Sequence, residues 1–386
     1  MNAALCLLVA TLFAATTPPV PERLEARSLP SVFMAWSNID PLPGDELEAA
    51  AKHDLIFHGP EWFGVAFDKP SNVLWTGFKP ESLAAAQARV GRLRALNPNA
   101  ILLVELRYRD APTSAMPKEH PWWMRDDGGE LIMGWEEGGY PRLDTANPEL
   151  HAHVARQAEA VMATGLFDGV MLDWWIDDEP DRLALATAIR ERVPAETLIL
   201  VNANDRPIVE TAALVNGSFM ECWQSADWDN WEQIEASLVH NEASLREPRI
   251  NALSTWFETG RDELDRMRAT TALGLTRSDG FVLFCDPGPL PEPDHRHDWY
   301  AAWDVDLGQP TAEGFEADDG TVRRPFERGW AIYNRPGNDE ATIELDRPHR
   351  SVRTGEVARR HRVPAADGDL LVAEPAPRAA PAEENR

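Results

Sequence analysis

Lysine is nearly missing from this chain of 386 residues. Only Lys52, Lys69, Lys79 and Lys118 occur, and the 37 Lys and Arg together face 64 Asp and Glu. The net charge of -27 excludes the broad basic surface with which proteins hold nucleic acid regardless of sequence. Cysteine is equally scarce. Cys6 lies near the start, Cys222 and Cys285 stand far apart, and no CxxC or Cys/His spacing exists, so the cysteines specify neither a disulfide framework nor a zinc site. P-loop, HExxH and Ser/His/Asp patterns are absent too, which removes the chemistries those motifs carry. Tyrosine is sparse, with 4 residues against 13 Phe, whereas Trp reaches 15 and supplies nearly half of the aromatics.

No apolar stretch has the roughly 20 residues that a bilayer core of about 30 Å requires. The run from Ala4 to Thr16 is shorter, ends in small residues and precedes Pro18, Pro19 and Pro21, which fits a secretory signal over 1–17 even though no basic residue comes before it. The expectation is a secreted or periplasmic protein with no stable membrane insertion once the signal is removed.

From Ser31 to Pro287 one grammar repeats: a short apolar run closing in polar or aromatic residues, a loop, then an amphipathic stretch. The runs are Val32–Trp36, Leu55–His58, Ile101–Arg107, Gly169–Asp173, Leu198–Asn202, Ser218–Cys222, Ile250–Ser254 and Phe281–Cys285. Between them, Asn147-Pro148-Glu149 opens a helix that Gly165 closes, and Glu81–Leu96 places Leu83, Ala86, Val90 and Leu93 on one stripe. Strands alternating with helices predict an α/β fold, a (β/α)8 TIM barrel over 28–310, rather than a doubly wound sheet, because no Gly-rich phosphate turn follows the first strand. A last barrel helix is expected over 297–306. Gly329–Asn334 and Ala341–Leu345 then read as two strands around a turn, opening a small antiparallel β-domain over 320–373. The Ala- and Pro-rich residues 374–386 are expected to be a disordered tail.

In such a barrel the active site lies at the C-terminal ends of the strands. The run Phe167–Trp175 delivers Asp173 from an apolar strand to the mouth, where burial would cost several kcal/mol without a partner or a task. Glu221, two strands on, is the natural second carboxylate; strands spaced by about 4.8 Å bring the pair within glycosidase reach. The plainer readings are Asp173 as a cap or salt-bridge partner and Glu221 as the partner of Arg107. Asp168, at the strand's start, belongs to the opposite, stabilising rim. Arg107, Asn202, Asn204 and Asp286 are candidates for bonding sugar hydroxyls, with Glu105 beside them, and Trp36, Trp174, Trp223 and Trp256 are candidates for stacking on pyranose rings. Twelve of the fifteen Trp fall at or after the ends of the first seven runs, which suggests a tryptophan-rich catalytic rim. Asp177-Asp178-Glu179 has the oxygen ligands that Ca2+ takes, but an acidic loop on so acidic a chain reads as solvated, and neither metal nor cofactor is expected. His295 and His297 either line the site or cap the last helix.

The order and spacing of several segments resemble glycoside hydrolase-like TIM-barrel families distantly similar to endo-α-1,4-polygalactosaminidases. These are Leu143-Asp144-Thr145-Ala146-Asn147-Pro148, Phe167 to Asp173, Met220-Glu221, and Arg324 to Asn334. The resemblance spans most of residues 30–350 and implies a catalytic Asp after strand four and a Glu on strand six, matching Asp173 as nucleophile and Glu221 as general acid/base. It also places Asp144 near the substrate. Trp174-Trp175 depart from the small polar residue that often follows the Asp, which bears on the sugar bound at the cleavage point. The function expected is hydrolysis of glycosidic bonds in a polysaccharide or oligosaccharide. A non-catalytic carbohydrate-binding barrel, or a lyase or metal-dependent hydrolase on the same fold, are the alternatives.

Overall fold

The computed structural model describes residues 17–287 and 295–374; the expected signal segment, but for Thr17, and the tail beyond Glu374 lie outside them. Eight strands form one parallel sheet in chain order: β1 (Phe33–Ala35), β2 (Leu55–His58), β3 (Ile101–Glu105), β4 (Gly169–Leu172), β5 (Leu198–Asn202), β6 (Gly217–Cys222), β7 (Ala252–Trp256) and β8 (Phe281–Cys285). A parallel bridge between Val32 and Val282 brings the last strand beside the first and closes the barrel. All eight expected strands are present, with ends shifted by one or two residues, so Trp36, Arg107 and Asp173 stand just past their strands.

Both faces of this sheet are buried. Phe33, Phe57, Leu103, Met171, Leu200, Phe219 and Leu283 fill the barrel interior. Their alternates Met34, Ile56, Leu102, Val170, Leu172, Ile199 and Val201 pack outward against helices. That is why the strands read as unbroken apolar runs rather than as alternating ones.

The helices are α1 (Val20–Ala26), α2 (Glu46–Ala50), α3 (Pro80–Leu96), α4 (Pro148–Ala163), α5 (Pro180–Arg192), α6 (Trp231–Ser244) and α7 (Leu264–Arg277). Asn147 caps α4 by accepting the Glu149 N–H at 2.9 Å, Pro148 takes the first position, and Gly165 leaves in the left-handed region at φ 67°. No helix joins β5 to β6. The helix expected over 297–306 is also missing, reduced to a 3-10 turn over Ala301–Asp304. Its start is held extended: His297 bridges Ile39, and its carbonyl accepts the Asp40 N–H at 2.9 Å. Under the barrel floor, α1 supplies the buried Arg23, which bonds the Ala100 carbonyl at 2.7 Å and ion-pairs with Asp168. Asp168 also meets Arg94 at 3.3 Å and the Leu102 N–H at 2.9 Å, so it does belong to the stabilising rim.

The second sheet contains β9 (Phe315–Glu316), β10 (Val322–Phe326), β11 (Gly329–Asn334), β12 (Ala341–Ser351), β13 (Val357–Val363) and β14 (Asp367–Ala373), in spatial order β9-β10-β11-β14-β12-β13. The two strands expected to pair around a turn therefore do not pair. β14 lies between them, bonded to β11 on one side and to the last residues of β12 on the other. The Asn334 amide fills the intended turn by donating to the carbonyls of Asp339, Val363 and Pro364, at 2.9 to 3.0 Å. α7 joins the two sheets. Ala269 to Thr276 are buried without a break, because the barrel covers one face of the helix and β10, β11 and β14 the other. Gly368 allows that approach: a Cβ there would stand 2.5 Å from the Ala272 side chain.

Candidate active site

The inward period of two continues past the apolar layer on four strands. Glu105 follows Leu103, Asp173 follows Met171, Asn202 follows Leu200, and Glu221 follows Phe219, so four polar side chains ring the floor of the mouth. Asn202 joins two of them: its Nδ2 donates to Asp173 Oδ1 and to Glu221 Oε2, each at 2.8 Å. Two 2.8 Å bonds from one nitrogen cap the separation of those oxygens at 5.6 Å, twice the bond length. With the two amide hydrogens about 120° apart, the separation is about 5 Å.

Around this pair the side chains interlock. Glu105 is buried, accepts the Trp36 indole N–H at 2.8 Å and faces Arg107 Nε at 3.1 Å. Arg107 also meets Asp110 at 3.4 Å, and Asp110 takes Arg109 at 2.8 Å, so the expected alternative partner of Glu221 is engaged elsewhere. Arg109 lies 4.4 Å from the Trp174 ring and backs it by cation–π attraction, while the Tyr108 hydroxyl donates to the Trp174 carbonyl at 2.9 Å. On the other side, His295 Nε2 lies 3.3 Å from Glu221 Oε1, and its ring packs against Trp36 and Phe219. Five non-glycine residues among those described have positive φ; Trp36, Trp174, Asn204 and His295, at 53° to 59°, all surround this mouth. Such backbone strain is tolerated where surrounding contacts over-determine it, and it gathers at functional sites.

Asp173 keeps an edge open to the cleft but has protein on its other sides. Burial, then the charges of Glu221 and Glu105, push its carboxyl up to about 7, against the pull of the Asn202 amide and Arg107. Arg107 is held firmly protonated, chiefly by Glu105 and then by Asp173 and Asp110. The Asp173 carboxyl is thereby favoured in its protonated form up to about pH 7.

Above them opens a cleft of about 570 Å³ lined by Trp36, Arg107, Asp173, Trp174, Asn204, Glu221, Trp223 and Trp256. Asn202 and Glu105 lie beneath its floor. Two expected ligands stand apart: Asp144 is turned into its own loop, toward the Ala146 N–H at 3.3 Å, and Asp286 is taken by Arg261 through two bonds of 2.7 Å. The cleft also includes Asp110, Trp135, Glu137 and Arg206, which strand ends did not reveal. Trp135 and Glu137 come from a short hairpin, Met133–Trp135 with Tyr140–Pro141. Gly138 is required in its turn, since a Cβ would come within 2.2 Å of the Trp135 ring.

The tryptophan rim is narrower than the sequence suggests. Five Trp line the cleft, whereas Trp75, Trp122, Trp123, Trp175, Trp231 and Trp303 are buried in the core. No group of three or more His, Cys, Asp or Glu among the described residues is arranged to hold a metal ion. Asp177, in the acidic loop, instead accepts the backbone N–H groups of Val209, Glu210 and Thr211, and Glu179 pairs with Arg142 and Arg182.

Solved structures share this architecture. An alpha-amylase from Lactobacillus plantarum superposes with a TM-score of 0.58 at 12% identity, over 91% of this chain and 99% of that one. A noncanonic maltogenic alpha-amylase from Thermotoga neapolitana gives 0.55 at 11%, over 89% and 99%. The cyclic alpha-maltosyl-(1→6)-maltose hydrolase from Arthrobacter globiformis, solved with that cyclic sugar, gives 0.54 at 12%, over 92% and 100%. At these identities the likeness establishes the fold: a TIM barrel with a small C-terminal β-domain, of the kind found in alpha-amylase-type glycoside hydrolases. No family model and no curated protein matches the chain. The polygalactosaminidase-type resemblance therefore rests on the motifs that suggested it.

Proposed function

We propose that this chain is a secreted glycoside hydrolase that cleaves a polysaccharide or oligosaccharide through Asp173 and Glu221, with retention of anomeric configuration. The observation that carries the reading is the single Asn202 nitrogen bonded to both carboxylates, which caps the separation of their facing oxygens, Asp173 Oδ1 and Glu221 Oε2, at 5.6 Å. Carboxyls about 5 to 5.5 Å apart suit a covalent glycosyl-enzyme, whereas inversion needs about 6.5 to 9.5 Å to admit a water. A non-catalytic sugar-binding barrel has no need of that spacing. The cleft suits sugar: Trp174 and Trp223 are 43% and 52% exposed at its rim, where their flat apolar faces can meet pyranose rings.

In the reaction one carboxylic acid protonates the glycosidic oxygen as the C1–O bond breaks, and the other carboxylate attacks C1. The first group then takes a proton from the water that releases the sugar. The family resemblance makes Asp173 the nucleophile and Glu221 the acid/base; the electrostatics of the cleft, where burial and neighbouring negative charge favour the protonated form of Asp173, support the opposite division. Azide distinguishes them. With Glu221→Ala, rescue to a glycosyl azide of retained configuration marks Glu221 as the acid/base, whereas an inverted azide marks it as the nucleophile. The substrates to offer are α-glucans, galactosamine-containing polymers and polyuronates, with product stereochemistry read by NMR. Hydrolysis by wild type that Asp173→Asn and Glu221→Gln leave intact would sink the assignment. Because the Asp173 proton is lost near pH 7, kcat/KM is expected to fall on the alkaline side of about 7.

A further inference from the structure

We propose that Asn202 is a positioning residue and not a sugar ligand: its single amide group holds Asp173 and Glu221 at their working separation. This rests on the reading of the two carboxylates as the reacting pair. Asn202 is 1% exposed, and its hydrogen-bonding groups are engaged. Both Nδ2 hydrogens go to the carboxylates, and Oδ1 accepts the Asn204 N–H at 3.1 Å. That last bond sets the orientation of the amide, since a flip would turn Oδ1 onto two carboxylate oxygens and Nδ2 onto a donor. No amide hydrogen is left for a hydroxyl of the substrate.

Asn204 completes the clamp. Its left-handed backbone, φ 54°, returns its N–H to Asn202, and its own Nδ2 donates to the Glu221 carbonyl at 3.1 Å. Asparagine is among the few residues that adopt this conformation readily. The end of β5 thus grips the end of β6 twice, once at the Glu221 side chain and once at its backbone. Glu105 and Arg107 from the end of β3 face the pair, with Asp110 behind Arg107, Tyr108 bonded to the Trp174 carbonyl, and His295 against Glu221. Of these neighbours, Asn202 alone touches both acids with a donor, so it stabilises both as acceptors and opposes the repulsion between them.

The test needs no substrate. The Asp173 carboxyl is followed by carbon NMR across pH in wild type, in Asn202→Ala and in Asn202→Asp, with Asp173→Asn to assign the signal. Wild type should titrate near 7, and Asn202→Ala at least about 1 unit higher, because a donor to the charged form is lost. Asn202→Asp has the same shape without the NH2 group, should shift the titration further up, and keeps the test open if the alanine variant does not fold. On a cleaved substrate, Asn202→Ala should lower kcat about 100-fold with KM within about threefold, as misplacement of reacting groups does. An unmoved or lowered Asp173 titration in a folded variant, or a rise in KM alone, overturns the proposal. If the titration moves but wild type cleaves no polymer, the clamp stands and the hydrolase reading fails.

Discussion

Asp173 is the residue at which folding and chemistry pull apart. Its folded pKa of about 7 exceeds the unfolded value of about 3.9, so the native state keeps a proton that the unfolded chain releases earlier. Stability attributable to this group therefore falls as pH rises from about 4 to about 7, and the cost is complete above that window. Asp173→Asn removes it. Because the carboxyl retains an open edge that solvent screens, we expect a gain of about 1–3 kcal/mol at pH 8 and little change at pH 4, read from urea unfolding at the two pH values. An equal effect at both would show that the charge is not the cause. The catalytic candidates Asp173 and Glu221 were readable because alternation along an apolar strand tells which polar residue continues the inward face. Asp286 shows the limit of that rule: it closes β8 as the others close theirs, but Arg261, 25 positions away in the chain, claims both of its oxygens.

At the scale of elements, the strands and the two clearest helices, α3 and α4, announced themselves, whereas the last connection and the pairing in the second sheet did not. β1 to β8 are apolar on both faces, a pattern that survives without knowledge of neighbours. The residues over 297–306 carry a helix-like composition, but tertiary pairing of His297 with Ile39 overrides it. Likewise β11 and β12 were expected to pair because they are adjacent in sequence, whereas β14 intervenes, pairing with all six residues of β11 and with His349 to Ser351 of β12. α1 makes a testable contribution below the barrel. Its Arg23 is buried against Asp168, and Arg23→Ala would leave that carboxylate to Arg94 and the Leu102 N–H alone. The expected loss is about 2–3 kcal/mol of unfolding free energy, with kcat per folded molecule unchanged, because the cleft opens at the opposite end.

At the scale of the whole molecule, the β-domain is part of the barrel's core rather than an attachment. α7 is buried from Ala269 to Thr276, and Arg268 fixes β14 through two bonds of 2.7 and 2.8 Å to Asp367. A chain cut after residue 312 would expose the face that β10, β11 and β14 cover. It should be recovered as aggregate or not at all, whereas a soluble, cooperatively melting barrel from that truncation would show the two units to be independent. Neither the composition shift nor the new strand pattern after residue 320 reveals this dependence, because both faces of α7 look alike in sequence.

Taken alone, the sequence determined the barrel and the carboxylate pair at its mouth. Each is a property of periodicity or composition, which neighbouring residues in the chain carry by themselves. Tertiary structure decided which of the fifteen tryptophans line the cleft and which pack the core. It drew in His295, Asp110 and Trp135, kept Asp144 and Asp286 off the cleft lining, and set the Asn202 amide between two acids. Those outcomes depend on which side chains meet across different strands, and a hydrogen bond to a residue 19 or 29 positions away leaves no local trace in the chain.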